Sequence, residues 1–221
     1  IKLKSQKNTK LSLNHILIIF LMKKRLLGHI NLVASHMDTI ETLLTRKSSP
    51  RLSEPSPSKD ELEIIFQTAL RAPDHASLKP WKFIKVSGEG RKKLADASLS
   101  ALKKIDAKKA SENEEKILNA PFRAPLIIIV VSSVKDHHIV PEIEQILSAG
   151  AAAQNMLIAA HSMGYSGIWR TGLISFNKEV SKSFNLNDND IVIGYLYIGT
   201  PEKEMTLPLK SNTNDFVINW D

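Results

Sequence analysis

A short polar loop, residues 71–81, carries the densest group of side chains that could bind a ligand. Five such side chains fall within nine positions: Arg71, Asp74, His75, Ser77 and Lys79. The apolar spacing before the loop predicts an amphipathic helix that holds Arg71 in its last turn and is stopped by Pro73. A strand is predicted from Trp81 to Val86. A polar loop between a helix and a strand is typical of a ligand-binding loop on a rigid support.

A second polar group follows a short predicted helix that contains Ile40, Leu43 and Leu44. It reads Arg46-Lys47-Ser48-Ser49-Pro50-Arg51, and Pro50 prevents the helix from continuing. Cations and hydroxyls at this position can hold a phosphate, because arginine donates two parallel hydrogen bonds to it. The alternative is that the cations only complement the helix dipole, an effect of about 0.3–1 kcal/mol. Taken alone, this stretch favours the alternative.

A third candidate follows a long predicted helix, Glu142–Met163. Small residues fill the middle of this helix, 148–154, and we expect a helix–helix seam there that is buried in a dimer. Gly164 is a natural helix C-cap, and we expect a glycine-rich turn over residues 165–172. Backbone N–H groups of such a turn, beside Trp169 and Arg170, could contact the edge of an aromatic ligand.

The chain contains no cysteine, which excludes disulfides, thiolate nucleophiles and cysteine-based metal sites. His137 and His138 have no second ligand cluster, so we expect no metal site. If the protein carries out redox chemistry, a bound cofactor must carry the electrons.

Two apolar runs rich in β-branched residues predict the central strands of a sheet, Pro125–Ser133 and Asp190–Thr200. The first should be buried on both faces. Between the strands we expect a long lysine-rich helix from Arg91 to about Lys109 and a short one from Ser111 to Asn119. The apolar tail, Phe216–Trp220, is predicted to add to a sheet edge of its own subunit or of a partner.

Charge separates the chain into two parts. Residues 1–36 contain seven basic and no acidic residues, whereas the remainder has 23 of each, so the basic total does not indicate a nucleic-acid surface. The apolar run Ile16–Met22 is far shorter than the roughly 20 residues of a membrane-spanning helix. We expect residues 1–36 to be a disordered leader or translation from upstream of the true start, and residues 37–221 to form the functional domain.

Five separated motifs together resemble the FMN-dependent nitroreductase family, in particular its short bacterial branch. In chain order they are Arg46-Lys47-Ser48, Arg71-Ala72-Pro73-Asp74-His75 with Lys79-Pro80-Trp81, the Ala-rich helix with Gln154-Asn155, Gly164 to Arg170, and Gly194 to Pro201. The resemblance covers essentially all of Met37 to Asp221. It implies an α+β fold with a central, mostly antiparallel sheet flanked by helices, assembled as an intertwined homodimer with two FMN sites between the subunits.

The resemblance also implies roles for particular residues. Arg46, Lys47 and Ser48 would hold the FMN phosphate and ribityl chain. Arg71 and His75, reaching over from the other subunit, would contact the cofactor as well. The flavin itself would be lined by a third set: Trp169, Arg170 and Thr171. Residues 159–164 are a weaker candidate for nicotinamide contact.

The sequence departs from the family pattern at two positions. Lys47 replaces the second arginine of the commoner Arg-Arg-Ser pattern and supplies a point charge instead of a bidentate fork. Pro50 stands where a basic residue is usual, and Arg51 follows it. Trp81 is expected to be a core residue, and Trp169 is balanced between a core residue and a wall of the cofactor site.

The resemblance implies an enzyme that passes hydride from NADH or NADPH through FMN to a nitroaromatic, quinone or related small-molecule acceptor by a ping-pong mechanism. No acid–base side chain is required for catalysis. We expect a cytoplasmic homodimer that binds neither nucleic acid nor membrane. Two alternatives stay open: a flavin-binding module without turnover, and an interaction protein whose basic leader docks a partner.

Overall fold

The computed structural model describes residues 38–172, 175–203 and 206–220, so the basic segment 1–36 lies outside the described residues. Among the described helices, none combines the length and the apolar composition needed to cross a bilayer.

A five-stranded sheet forms the centre of the described chain. Its strands are β1 (Leu52–Ser53), β2 (Trp81–Ser87), β3 (Leu126–Ser133), β4 (Ser166–Arg170) and β5 (Asp190–Pro201). β3 lies between β2 and β5, and β5 also pairs with β1 and β4. All these strand pairs are antiparallel. The predicted antiparallel sheet with helices around it, and the central position of the 125–133 run, are therefore confirmed.

Seven α-helices surround the sheet in the described residues. They are α1 (Thr39–Thr45), α2 (Lys59–Ala69), α3 (Gly90–Ile105), α4 (Ala107–Glu112), α5 (Glu114–Asn119), α6 (Glu142–Ser162) and α7 (Lys178–Ser183). Three short 3-10 turns accompany them: His75–Ser77, Ala120–Arg123 and Thr213–Asp215.

The core lies on both faces of the sheet because side chains alternate along β3. Leu126, Ile128 and Val130 face α2 and α6, where the small residues of α6 are buried in the same cluster. The intervening side chains of β3 face α3, and join a second cluster with β5 residues. The small-residue face of α6 therefore packs within its own chain, whereas the seam expected in a dimer stays a prediction. Trp81 is buried in the α6-side cluster, as predicted.

Helix α2 begins at a complete capping box. The Ser58 hydroxyl accepts from the Glu61 backbone N–H, and the Glu61 carboxylate accepts from the Ser58 N–H at 2.8 Å. The helix ends at Ala69, so Arg71 lies beyond its last turn rather than within it. The Glu61 carboxylate also accepts a hydrogen bond from the Tyr165 hydroxyl at 3.0 Å. Because Tyr165 closely follows α6, this bond connects the start of α2 to the end of α6.

Two predicted helices have different boundaries in the structure. The helix predicted over residues 91–109 ends at Ile105, because Asp106 takes an extended conformation and its side chain caps α4 by accepting from the Lys109 N–H. The short helix predicted from Ser111 to Asn119 is divided by Asn113, so that α4 ends at Glu112 before α5 begins. The break between α3 and α4 arises because the Asp106 side chain competes for backbone hydrogen bonds.

The C-terminal tail corrects another expectation. Residues 206–220 contain one 3-10 turn and no strand, so the tail does not extend the sheet of its own chain. Its apolar side chains are exposed, and Trp220 is 99% exposed. Pairing of the tail with a partner subunit stays a prediction.

Candidate functional site

The segment that follows α1 runs alongside β4. Ser48 forms a parallel bridge with Gly167, and the Ser49 N–H donates to the Gly167 carbonyl at 3.3 Å. Further along, the Arg170 Nη2 donates to the Pro50 carbonyl at 3.0 Å. Two predicted cofactor motifs that are more than a hundred residues apart in the sequence are thus neighbouring backbone segments.

The side chains of the 46–51 segment differ in their accessibility to a ligand. Arg46 is half-buried at the C-cap of α1, and Ser48 is exposed. Lys47 donates from Nζ to the Thr206 hydroxyl at 2.8 Å, so the start of the tail region already holds its ammonium. No ion pair among the described residues involves Arg46, Lys47 or Arg51. No carboxylate in the described part of the chain therefore neutralises their positive charges.

His161, near the end of α6, lies against the same corner. Its Nε2 is 3.0 Å from the Thr45 hydroxyl at the end of α1. Burial lowers the pKa of His161, and the positive charge of Arg46 lowers it further, while a backbone hydrogen bond involving Tyr165 acts in the opposite direction. A mainly neutral imidazole can accept or donate a hydrogen bond beside Arg46.

Trp169 packs on the α6 side of the sheet. A β-bulge in β5 leaves Ile193 without a partner in β3, and the Ile193 carbonyl accepts from the Trp169 Nε1 at 3.2 Å. The indole lies on Gly194, since a Cβ added there would be 1.9 Å from Nε1. Gly150 of α6 is near the opposite edge of the ring. Trp169 is half-buried and packs against the α6-side cluster, so the structure gives it a core role whether or not it also contacts a cofactor.

Arg170, the last residue of β4, and Thr171, which follows it, have different surroundings. The Arg170 side chain points to the α3 side, where its guanidinium lies 5.4 Å from the centre of the Tyr197 ring. Thr171 and Gly172 are exposed after the last residue of the strand. The expected glycine-rich turn over residues 165–172 is wrong in its first part, because residues 166–170 form β4 and pair with β5.

Arg71 and His75 lie elsewhere in the chain. Both side chains are exposed in the single chain. The His75 Nδ1 is 2.7 Å from the Glu144 carboxylate at the start of α6. Among the described residues, no hydrogen bond or ion pair joins Arg71 or His75 to β4 or to the 46–51 segment.

Comparison with known proteins decides the family. The sequence model of the nitroreductase family matches residues 43–200. The chain belongs to the nitroreductase family. It is 41% identical to the putative NAD(P)H nitroreductase YdjA of Escherichia coli K12, over 75% of this chain and 90% of the relative. It is 35% identical to a putative NAD(P)H nitroreductase of Haemophilus influenzae, over 82% of this chain and 98% of that protein.

Solved structures agree on the fold. A nitroreductase-like family protein from Bacillus cereus superposes with a TM-score of 0.75 at 21% identity, covering 86% of this chain and 99% of its own. An NADPH:FMN oxidoreductase from Vibrio harveyi, complexed with NAD+, superposes with a TM-score of 0.63 at 18% identity, covering 82% of this chain and 76% of its own. The nitroreductase fold inferred from the motifs is confirmed.

Within this nitroreductase chain, the predicted site residues form two groups. Six of them lie on the 46–51 segment, on the adjoining strand β4 or directly after that strand: Arg46, Lys47, Ser48, Trp169, Arg170 and Thr171. Arg71 and His75 form the second group, on the loop after α2. Their assignment as cofactor ligands stays a prediction in both cases.

Sequence reasoning did not single out His161 or Gly194. His161 lies inside the 159–164 segment that is a candidate for nicotinamide contact. A single histidine near the end of a helix of small apolar residues was the sequence feature that could have identified it. An isolated glycine within a strand indicates a bulge or a close approach, so Gly194 could have been identified from its position in the 190–200 run.

Proposed function

We propose that this chain is an FMN-dependent oxidoreductase that takes hydride from NADH or NADPH and delivers it to a nitroaromatic, quinone or related acceptor. The observation that carries the proposal is the alignment of the 46–51 segment with β4, which sets cations that have no ion-pair partner among the described residues beside the Trp169–Thr171 stretch. The family membership and the NAD(P)H nitroreductase names of its relatives support it.

The residues present fit a bound FMN. Arg46 is half-buried without a carboxylate partner among the described residues, and the exposed Ser48 hydroxyl adds a donor, which suits a phosphate. The exposed backbone at Thr171 and Gly172 suits the polar edge of a flat ring. FMN, when bound, would supply hydride transfer at its N5 atom.

The protein's own residues would bind and orient the cofactor. Arg46 and Ser48 would anchor the phosphate, and Lys47 would add a positive charge whose position Thr206 fixes. Trp169 cannot shift towards β5 because it already lies on Gly194, so it would form a rigid wall. Positive charge near the cofactor would stabilise the anion that forms on reduction. No side chain needs to transfer a proton.

A homodimer completes the proposed site. Arg71 and His75 are exposed in the single chain and lie on a loop stabilised from within, since the Asp74 carboxylate accepts from the Leu78 and Lys79 N–H groups. An exposed, ordered loop of this kind can reach the cofactor of a partner subunit. The cytoplasmic location and the domain boundary at residue 37 are part of the same proposal.

An FMN titration of the apoprotein tests the phosphate site. Arg46→Gln should weaken FMN affinity by about tenfold or more, because a charge-assisted hydrogen bond is worth about 1.5–3 kcal/mol. Lys59→Gln removes the same charge from an exposed position in the first turn of α2 and should leave the affinity unchanged. Equal affinities of the wild type and the Arg46 variant would exclude this phosphate site.

A further inference from the structure

The loop that carries His75 has a strained backbone. Ala76, Ser77 and Lys79 are not glycines, yet their φ angles are 58°, 53° and 49°, in the left-handed region. Residues other than glycine keep this conformation only where surrounding contacts fix it, and they are concentrated at functional sites. The loop has such contacts both within itself and from other parts of the fold.

The contacts that hold this loop act on its backbone and on one side chain. The Asp74 carboxylate accepts from two backbone N–H groups within the loop, at 3.1 and 2.7 Å. From β3's far end, the Lys135 ammonium donates to the Leu78 carbonyl. From the start of α6, the Glu144 carboxylate lies 2.7 Å from the His75 Nδ1. The first three bonds fix the path of the loop, whereas the contact with Glu144 acts on the imidazole itself.

The contact with Glu144 determines which ring nitrogen of His75 carries the proton. A carboxylate oxygen only accepts hydrogen bonds, so the Nδ1 atom beside it must be the protonated one. On the opposite side of the ring, Nε2 makes no hydrogen bond to another residue in the described part of the chain. In the neutral ring Nε2 is an acceptor, and the bond at Nδ1 sets its orientation.

This contact should contribute little to the stability of the fold. The His75 and Glu144 side chains are 52% and 45% exposed, and charged contacts at such positions are weakened by water and salt. Its main effect is therefore to orient the imidazole. A surface histidine that is oriented with a free acceptor nitrogen is suited to meet a donor group from outside its own chain.

We propose that Glu144 is a positioning residue, which holds His75 in the Nδ1-protonated form so that Nε2 accepts a hydrogen bond from the cofactor of a partner subunit. This role depends on the proposed function, in which His75 contacts FMN across a homodimer. FMN carries hydroxyl and ring N–H groups that suit such an acceptor. Glu144 acts through His75 and does not itself touch the cofactor.

NMR of the histidine ring nitrogens in the full chain, with and without FMN, tests the protonated form. In mildly alkaline solution the nitrogen chemical shifts distinguish Nδ1–H from Nε2–H, and the His75 signal is identified by its loss in His75→Gln. We expect Nδ1–H in the wild type and in Glu144→Gln, whose amide oxygen can still accept, and loss of this preference in Glu144→Ala. Glu142→Ala removes the same charge from the same first turn of α6 and should keep Nδ1–H. An Nε2–H form in the wild type, or an unchanged form in Glu144→Ala, would overturn the proposal.

An FMN titration tests whether the orientation of His75 matters for the cofactor. Glu144→Ala should weaken FMN affinity about threefold to tenfold, because a hydrogen bond from the cofactor loses its oriented acceptor. Glu144→Gln and Glu142→Ala should bind FMN like the wild type. In a protein that already carries His75→Ala, Glu144→Ala should cause no further loss, since Glu144 acts only through His75. An equal loss with and without His75 would give Glu144 a purely structural role and overturn the proposal.

These measurements separate the positioning role from the function on which it depends. A wild type that binds no FMN would overturn both. A wild type that binds FMN, together with a Glu144→Ala variant of equal affinity, would overturn the positioning role alone. Melting temperatures of both Glu144 variants should stay close to that of the wild type because the contact is about half exposed, so a loss of FMN affinity would not reflect unfolding.

Discussion

At the scale of single residues, the corner formed by Thr45, Arg46 and His161 joins the end of α1 to the end of α6. The Thr45 hydroxyl and the His161 Nε2 are 3.0 Å apart, and Arg46 is close enough to act on the imidazole through its charge. A partly buried histidine beside an arginine resists protonation because both effects disfavour a second positive charge. Protonation of His161 would place a second positive charge beside Arg46.

The protonation of His161 gives a prediction with a definite sign. Its pKa is lower in the folded protein than in the unfolded chain, so the unfolded state binds the extra proton more readily. The contribution of His161 to stability is therefore complete above its unfolded value near 6.5 and is lost as the pH falls below it. NMR titration should show a pKa below 6.5, which Arg46→Gln raises and Lys59→Gln leaves in place. An unchanged pKa in the Arg46 variant would exclude this coupling.

At the scale of elements, Trp169 connects β4, β5 and α6. Its indole lies on Gly194 of β5, while a Cβ added at Gly150 of α6 would be 3.7 Å from the ring. The bulge at Ile193 supplies the carbonyl that holds the indole N–H. One aromatic side chain therefore contacts both the sheet and its longest described helix.

Alanine substitutions at the two glycines beside Trp169 should change the free energy of unfolding in opposite directions. Gly194→Ala would place Cβ 1.9 Å from the indole Nε1 and must displace the ring, so we expect a loss of about 1–3 kcal/mol in the free energy of unfolding. Gly150→Ala meets only an ordinary contact within a helix, and should gain about 0.5–1 kcal/mol. Urea denaturation measures both. A Gly194 variant as stable as the wild type would contradict the packing described for Trp169.

Elements with a long, regular pattern were predictable from the sequence, and short or locally disrupted ones were not. β3 and β5 were predicted because continuous apolar runs identify buried strands, and α2 because its capping box marks the start. β4 was missed, since five residues that include a glycine carry no periodic signal. The break at Asp106 depends on one side chain that leaves the helix to cap the next.

The sequence motifs of the candidate site could be predicted, but their arrangement in space could not. Its residue types indicated phosphate and ring contacts, yet the alignment of the 46–51 segment with β4 depends on a long-range bridge between Ser48 and Gly167. The contact between His75 and Glu144 of a distant helix was likewise not visible in the sequence. Contacts between residues far apart in the chain carry no local pattern.

At the scale of the whole molecule, exposed apolar side chains indicate an interface. Ile143 and Leu147 are 59% and 64% exposed on α6, and Leu44 of α1 is 72% exposed. The tail adds further apolar side chains, which no strand of the described chain covers. Exposed apolar surface of this extent commonly marks a protein–protein contact, and the partner that we propose is a second copy of this chain.

Sedimentation analysis tests the dimer. We expect the full chain to sediment as a dimer at micromolar concentration, and Leu147→Glu to shift it towards monomer by about 2 kcal/mol or more, because an unpaired charge would be buried. Ile105→Glu places the same carboxylate at an exposed apolar position at the end of α3, which packs on the other face of the sheet from α6, and should retain the dimer. A wild-type monomer, or equal dissociation in both variants, would exclude an interface at Leu147.

Anaerobic titration of the FMN-loaded protein with NADH and with NADPH tests the central claim most directly. We predict that at least one of the two donors bleaches the visible flavin absorbance and that a nitroaromatic or quinone then restores it. A protein that retains no FMN, or whose flavin spectrum stays unchanged with both donors, would contradict the account.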